Sequence, residues 1–190
     1  MSDFHSIRRH DCRDLVTLFD RTFALDYHTC LKAGAEEPFY QPARPPDQMH
    51  QIWFTCDYFA SALHEVAHWC VAGRRRRQLP DYGYWYAPDG RSPAQQAAFE
   101  RVEARPQALE WLFSRAAGFP FQPSADNLGS DAGPSDAFKV AIHKQLMEFC
   151  KTGVSLRVAA FLQALMGFYG TGKRPDALLE PSSFPRSRLL

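Results

Sequence analysis

Apolar and polar positions along this chain follow a helical period through most of its length. In residues 11–25 large apolar side chains recur at Leu15, Val16, Leu18, Phe19 and Phe23. That spacing predicts a first amphipathic helix. Pro38, Pro42, Pro45 and Pro46 then break regular structure and predict an extended segment wrapped over the surface. The run QIWFT at 51–55 is β-prone and predicts one strand. Asp57 can cap a helix over 58–72, with Gly73 just past its end and Arg74 to Arg77 at its negative pole. Residues 81–87, DYGYWYA, again read as β-prone and stop at the turn Pro88-Asp89-Gly90. Ser92-Pro93 matches an N-cap followed by proline at the first helical position, opening a helix to about Ala104. Pro106 closes or kinks that helix, and the helical pattern resumes over 107–117. A loop rich in Pro, Gly, Ser and Asp follows at 120–134, then helices at 135–151 and 156–168. The Pro- and Ser-rich tail from Gly170 is expected to be loosely held. The pattern predicts an α+β, predominantly helical fold with a few short strands. It forms a single domain over 1–190 with its core at about 11–169.

Composition narrows the class. With 190 residues, 45% of them hydrophobic and 14% aromatic, the chain can bury a core without disulfides or a structural metal. Lys plus Arg number 22 against 21 Asp plus Glu, and the net charge of +1 removes the electrostatic case for wholesale nucleic-acid binding. The N-terminal MSDFHSIRRHDCRD has no apolar run of the signal-peptide kind. The charge-free stretch 158–172 is too short and too interrupted to span a bilayer. Five widely spaced cysteines without a C-x-x-C argue against a disulfide framework. These features predict a cytoplasmic protein that acts neither on membranes nor on nucleic acid.

One motif carries chemistry: His64-Glu65-Val66-Ala67-His68 on the second predicted helix. Residues at i and i+4 share a helix face, so both imidazoles converge on one point, where they can hold Zn(II), Fe(II) or a related ion. Multiplying residue frequencies gives roughly 0.01 accidental H-E-x-x-H motifs in such a chain, which favours the metal reading. A third ligand is needed. Ala98, Phe99 and Val102 define the inward face of the helix after Pro93, which places Glu103 on or beside that face and Glu100 about a quarter turn away. Glu103 is the preferred carboxylate, Glu100 its rival and Glu110 a third choice. Two histidines and a carboxylate leave open positions. With Zn(II) they make a metallopeptidase with Glu65 as general base. With Fe(II) they activate O₂. A closed, four-coordinate site would instead mark a protein-binding module with a structural metal.

The surrounding residues carry a resemblance. The helix Phe59-Ala60-Ser61-Ala62-Leu63-His64-Glu65-Val66-Ala67-His68-Trp69-Cys70 is followed in order by several further motifs. These are Asp81-Tyr82-Gly83-Tyr84-Trp85-Tyr86, Pro88-Asp89-Gly90-Arg91 and Phe99-Glu100-Arg101-Val102-Glu103. Pro106-Gln107-Ala108-Leu109-Glu110-Trp111 and Asp126-Asn127-Leu128 complete the series. From about residue 15 to 169 the chain resembles the bacterial elongation factor P hydroxylase family. The resemblance implies a non-haem metal oxygenase that hydroxylates the lysine of elongation factor P already carrying a lysyl-type extension. It implies His64, His68 and a glutamate of the 100–103 segment as ligands, with Fe(II) and O₂ as cofactors. The family is not known for the double-stranded β-helix of 2-oxoglutarate oxygenases. No H-x-D or H-x-E pattern occurs here, so 2-oxoglutarate is not implied. An oxygenase has no need of Glu65 as a base, which leaves it the task of orienting a bound water or the substrate.

Other features have narrower meanings. Arg74 to Arg77 is the only dense basic run, and Arg74 and Arg75 can dock an acidic protein. Tyr82, Tyr84, Trp85 and Tyr86 can wall a substrate arm or pack as a half-buried strand. Asp81 and Asp89 can pair with a substrate ammonium or shape turns. Cys70 and His143 read as structural. No nucleophile elbow and no Gly-rich phosphate loop occurs.

Overall fold

The computed structural model describes residues 10–44, 48–83, 91–125, 133–172 and 174–189. Helix α1 (Cys12–Tyr27) begins at Asp11, whose carboxylate accepts the Arg13 N–H, and buries Leu15, Phe19 and Phe23 on one stripe. Strands β1 (Thr29–Ala35), β2 (Phe39–Gln41) and β3 (His50–Thr55) form a sheet in the order β1-β3-β2. β1 runs parallel to β3 and β2 antiparallel to it. Only β3 was expected. β2 lies inside the segment expected to be extended, and β1 gave no strand signal.

One face of this sheet is core. Leu31, Tyr40, Ile52 and Phe54 are buried there. On the other face Phe39 stacks on Trp53 at 5.5 Å, and the Lys32 ammonium lies 5.2 Å from the Trp53 ring centroid. Helix α2 (Phe59–Val71) packs between β3 and helix α3 (Pro93–Ala117). Its apolar side chains Leu63, Val66 and Trp69 are fully buried, each adding about 1.5–3 kcal/mol. Tyr58, not Asp57, holds the cap position of α2, and no side chain bonds there. Trp69 sits among Phe19, Phe23 and Tyr27, with ring centroids 4.9–5.4 Å away.

Helix α3 opens with the expected Ser92 cap, completed as a capping box by Gln95. It then runs unbroken through Pro106, where closure or a kink was expected. Pro106 has no N–H for the Val102 carbonyl, a loss that costs about 3 kcal/mol in a helix interior. Burial compensates: Ala108, Leu109, Leu112, Phe113 and Ala116 are all essentially inaccessible. α3 packs against α2, α4 (Asp136–Thr152) and α5 (Leu156–Tyr169), both capped by serines, Ser135 and Ser155.

The segment 81–83 is not a strand. It belongs to a short 3-10 turn (Pro80–Gly83) in which Asp81 and Tyr82 have left-handed φ values of 46° and 58°. The Asp81 carboxylate holds this turn by accepting the Tyr40 N–H at 2.8 Å. Tyr84, Asp89 and the rest of 84–90, together with Asp126-Asn127-Leu128, lie outside the described residues. The tail, expected to be loosely held, lays Phe184 fully into the core against Trp111 at 5.4 Å. His143 donates to the Phe184 carbonyl at 3.1 Å, a structural role as expected. Among the described residues no helix is long and apolar enough to cross a membrane.

Candidate metal centre

His64 and His68 project one turn apart from α2 toward α3 and meet Glu103. The two Nε2 atoms are 3.0 Å apart. Glu103 Oε2 lies 3.4 Å from His64 Nε2 and 3.3 Å from His68 Nε2. The three side chains offer one ligand atom each within 4.8 Å of one another, a group able to hold a metal ion.

Glu103 is 1% exposed, and neither carboxylate oxygen has a hydrogen-bond partner among the described residues. The imidazole contacts are long for hydrogen bonds, so they act chiefly through charge. Burial pushes its carboxyl up, but the charge of His68 and the approach of both imidazole nitrogens hold it well below the usual carboxylate range. An ionised carboxylate this deep costs several kcal/mol unless compensated. A divalent cation held by Glu103, His64 and His68 would supply that compensation, so the donor set fits the metal that the motif implies.

Glu110, one of the alternatives for third ligand, takes a different position. Its Oε2 lies 2.8 Å from His64 Nδ1. A carboxylate only accepts, so Nδ1 carries a hydrogen, and Nε2 is the nitrogen that faces Glu103 and is left to bind a metal once it gives up its own proton. This is the carboxylate–histidine arrangement that fixes ring orientation in metal sites. Burial pulls the His64 imidazole down, yet the bonds and charges of Glu103 and Glu110 raise it well above the usual histidine value.

Glu100 does not reach the centre. Its Oε2 accepts the Ser135 hydroxyl at 2.9 Å, tying α3 to the start of α4. Phe99 and Glu103 are buried four residues apart, while Val102, expected to face inward, is 38% exposed. The inward stripe therefore runs through 99, 103 and 106 rather than through 102. Glu65 is buried on the neighbouring face of α2. It lies near enough to Tyr82 that its charge adds to burial in raising that phenol's pKa. Tyr82 is itself buried and stacked on Tyr40 at 4.3 Å, a core position rather than an exposed substrate wall. Cys70 is buried, and burial raises its thiol to about 12, which makes it inert as a ligand. Arg74 and Arg75 are exposed beside His68.

Two features of the centre escaped the sequence. One is the bond from His64 to Glu110. The other is the end of α2, where Arg157 from α5 donates to the carbonyls of Trp69 (2.6 Å), Cys70 (3.2 Å) and Ala72 (2.9 Å). Arg157 also lies 4.7 Å from the Trp69 ring centroid. Nothing in the local pattern around Arg157 points to a partner 88 residues away.

Residues 18–178 match the family model described as "Elongation factor P hydroxylase". The chain belongs to this family. A relative from Haemophilus influenzae, named "Elongation factor P lysine hydroxylase", is 44% identical over 162 residues. The match spans 85% of this chain and 91% of that protein. The family match takes in α2 and α3 whole, and with them every member of the cluster.

Proposed function

We propose that this chain is a cytoplasmic, metal-dependent hydroxylase of elongation factor P, acting on the lysine that already carries a lysyl-type extension. Family membership and the name of the 44% identical relative support the reaction and the substrate. The observation that carries the metal-dependent reading is the buried, unpartnered Glu103 carboxylate facing two imidazole Nε2 atoms at 3.3 and 3.4 Å.

His64, His68 and Glu103 would hold Fe(II), a two-histidine, one-carboxylate set with positions left over. Bound there, Fe(II) would supply O₂ activation: one oxygen atom would enter a substrate C–H bond as C–OH, and two electrons from an external reductant with two protons would turn the other into water. Glu110 keeps the His64 ring turned so that its free nitrogen faces the centre. Glu65, one residue from His64 and buried, is suited to orienting water or the substrate arm.

The test is the intact mass of lysyl-modified elongation factor P after incubation with the protein, Fe(II), O₂ and a panel of reductants. A gain of one oxygen mass is expected, absent with unmodified factor and with His64→Ala. Cleavage fragments would replace this reading with a peptidase using Glu65 as base. An unchanged mass across the whole panel would refute it.

A further inference from the structure

A cavity of about 450 Å³ opens directly beside the cluster. His68 forms part of its wall, together with Val71, Val102, Pro106, Arg74 and Arg75. Cations just past a helix end are ordinarily explained by the unpaired carbonyls of the last turn. At this helix end the carbonyls of His68, Trp69, Cys70 and Ala72 already have partners, His68 through the Ala72 N–H at 2.9 Å. Arg157 donates to three of them, and Arg77 donates to the Ala72 carbonyl at 2.8 Å. Arg76 donates to the Tyr82 carbonyl at 3.1 Å. The guanidiniums of Arg74 and Arg75 make no hydrogen bond or ion pair among the described residues, and both residues are exposed.

Two uncompensated guanidiniums thus stand on a cavity that reaches a ligand histidine. They repel an ammonium-bearing arm, so the modified lysine itself is not what they receive. A protein that presents a side chain to the centre must bring its backbone within about one side-chain length of it. The residues flanking that lysine then lie across the cavity. We propose that Arg74 and Arg75 receive carboxylates of an acidic segment of the protein substrate flanking the lysine to be hydroxylated, while Val71, Val102 and Pro106 give that segment apolar contact. The planar guanidinium fork suits carboxylates, and exposed pairs of this kind act mainly on encounter and register. The inference rests on the hydroxylase reading above.

The experiment measures the Kd of lysyl-modified elongation factor P for the metal-loaded enzyme over a series of salt concentrations, without turnover. It compares wild type with the Arg74→Glu/Arg75→Glu and Arg74→Lys/Arg75→Lys variants, with thermal melts and metal content as controls. The Glu pair is expected to raise Kd at least about tenfold at low salt and to flatten its salt dependence. The Lys pair should stay within about threefold of wild type, and KM should follow Kd while kcat at saturation holds. A Glu-pair Kd and salt slope equal to wild type would overturn the proposal. So would an unchanged Kd with lost kcat, which would assign the arginines to a small anion consumed in turnover. Because binding is read without turnover, a wild type that binds but fails to hydroxylate refutes the function and leaves the docking result standing.

Discussion

Replacing Glu110 tests whether the metal centre is built as its geometry implies. The Glu110 carboxylate accepts His64 Nδ1–H at 2.8 Å with its side chain 11% exposed, so solvent screens the bond little. A hydrogen bond to a charged group contributes about 1.5–3 kcal/mol net, and a neutral one about half of that. Glu110→Gln can still accept through its amide oxygen, so it keeps the ring orientation and loses only the charge. The expected loss is about 0.75–1.5 kcal/mol, or roughly 4- to 13-fold in metal affinity. Glu110→Ala frees the ring as well and should lose about 10- to 100-fold. The assay is competition between metal-free protein and a chromophoric chelator, with melting curves to establish that each variant is folded. A Gln variant within twofold of wild type would refute the contribution of the charge, and an Ala variant within twofold would refute the orienting role. Loss of about 1,000-fold or more in both variants would instead make Glu110 a ligand.

Protons and metal compete for His64. Because its imidazole sits well above the usual histidine value of 6.5 without metal, affinity for metal should fall as pH drops, starting above pH 6.5; a flat affinity from pH 8 to pH 6 would contradict this. The same shift makes the metal-free fold more stable while His64 is protonated, and that stability should fade as pH rises through the raised value, read as a falling Tm. Glu100→Gln should retain full metal content because Glu100 bonds Ser135, whereas Glu103→Gln should lose most of it, as metal analysis of the purified variants would show. Phe184→Ala should cost about 3–5 kcal/mol in urea unfolding, since the ring is fully buried against Trp111; a loosely held tail would give close to zero.

What the sequence disclosed follows the range of the forces involved. Local signals read well where a turn closes on itself: the Ser92 cap is satisfied three residues on and the two histidines need only helical spacing to converge, although Asp57, read as a cap, is displaced by Tyr58. The family resemblance lay in motifs in order, which required no packing information. Long-range effects were not legible. β1 exists because β3 pairs with it in parallel, and its own sequence, TCLKAGA, carries little strand preference. Helix α3 survives Pro106 because three other helices bury its second half. Val102 looked inward because it is apolar, yet the inward stripe is set by Phe99 and Glu103, and Glu103 is polar. A charged residue in a core position reads as surface until its partners are known. Glu110 stayed a third choice of ligand for the same reason, since the bond that ties it to His64 spans 46 positions. Phe184 and Arg157 likewise bind to elements far away in the chain.

The Arg157 clamp has a consequence for the order of events during synthesis. The last turn of α2 carries His68, and its carbonyls wait for a guanidinium 88 residues later in the chain. At about 5–20 residues per second, translation takes roughly 4–18 s to deliver it. Through that interval the ribosome-bound chain holds a helix whose C-terminal end is open to water. The turn of α2 that carries His68 is clamped only when α5 docks, so the centre gains this support late even though its motif is made early.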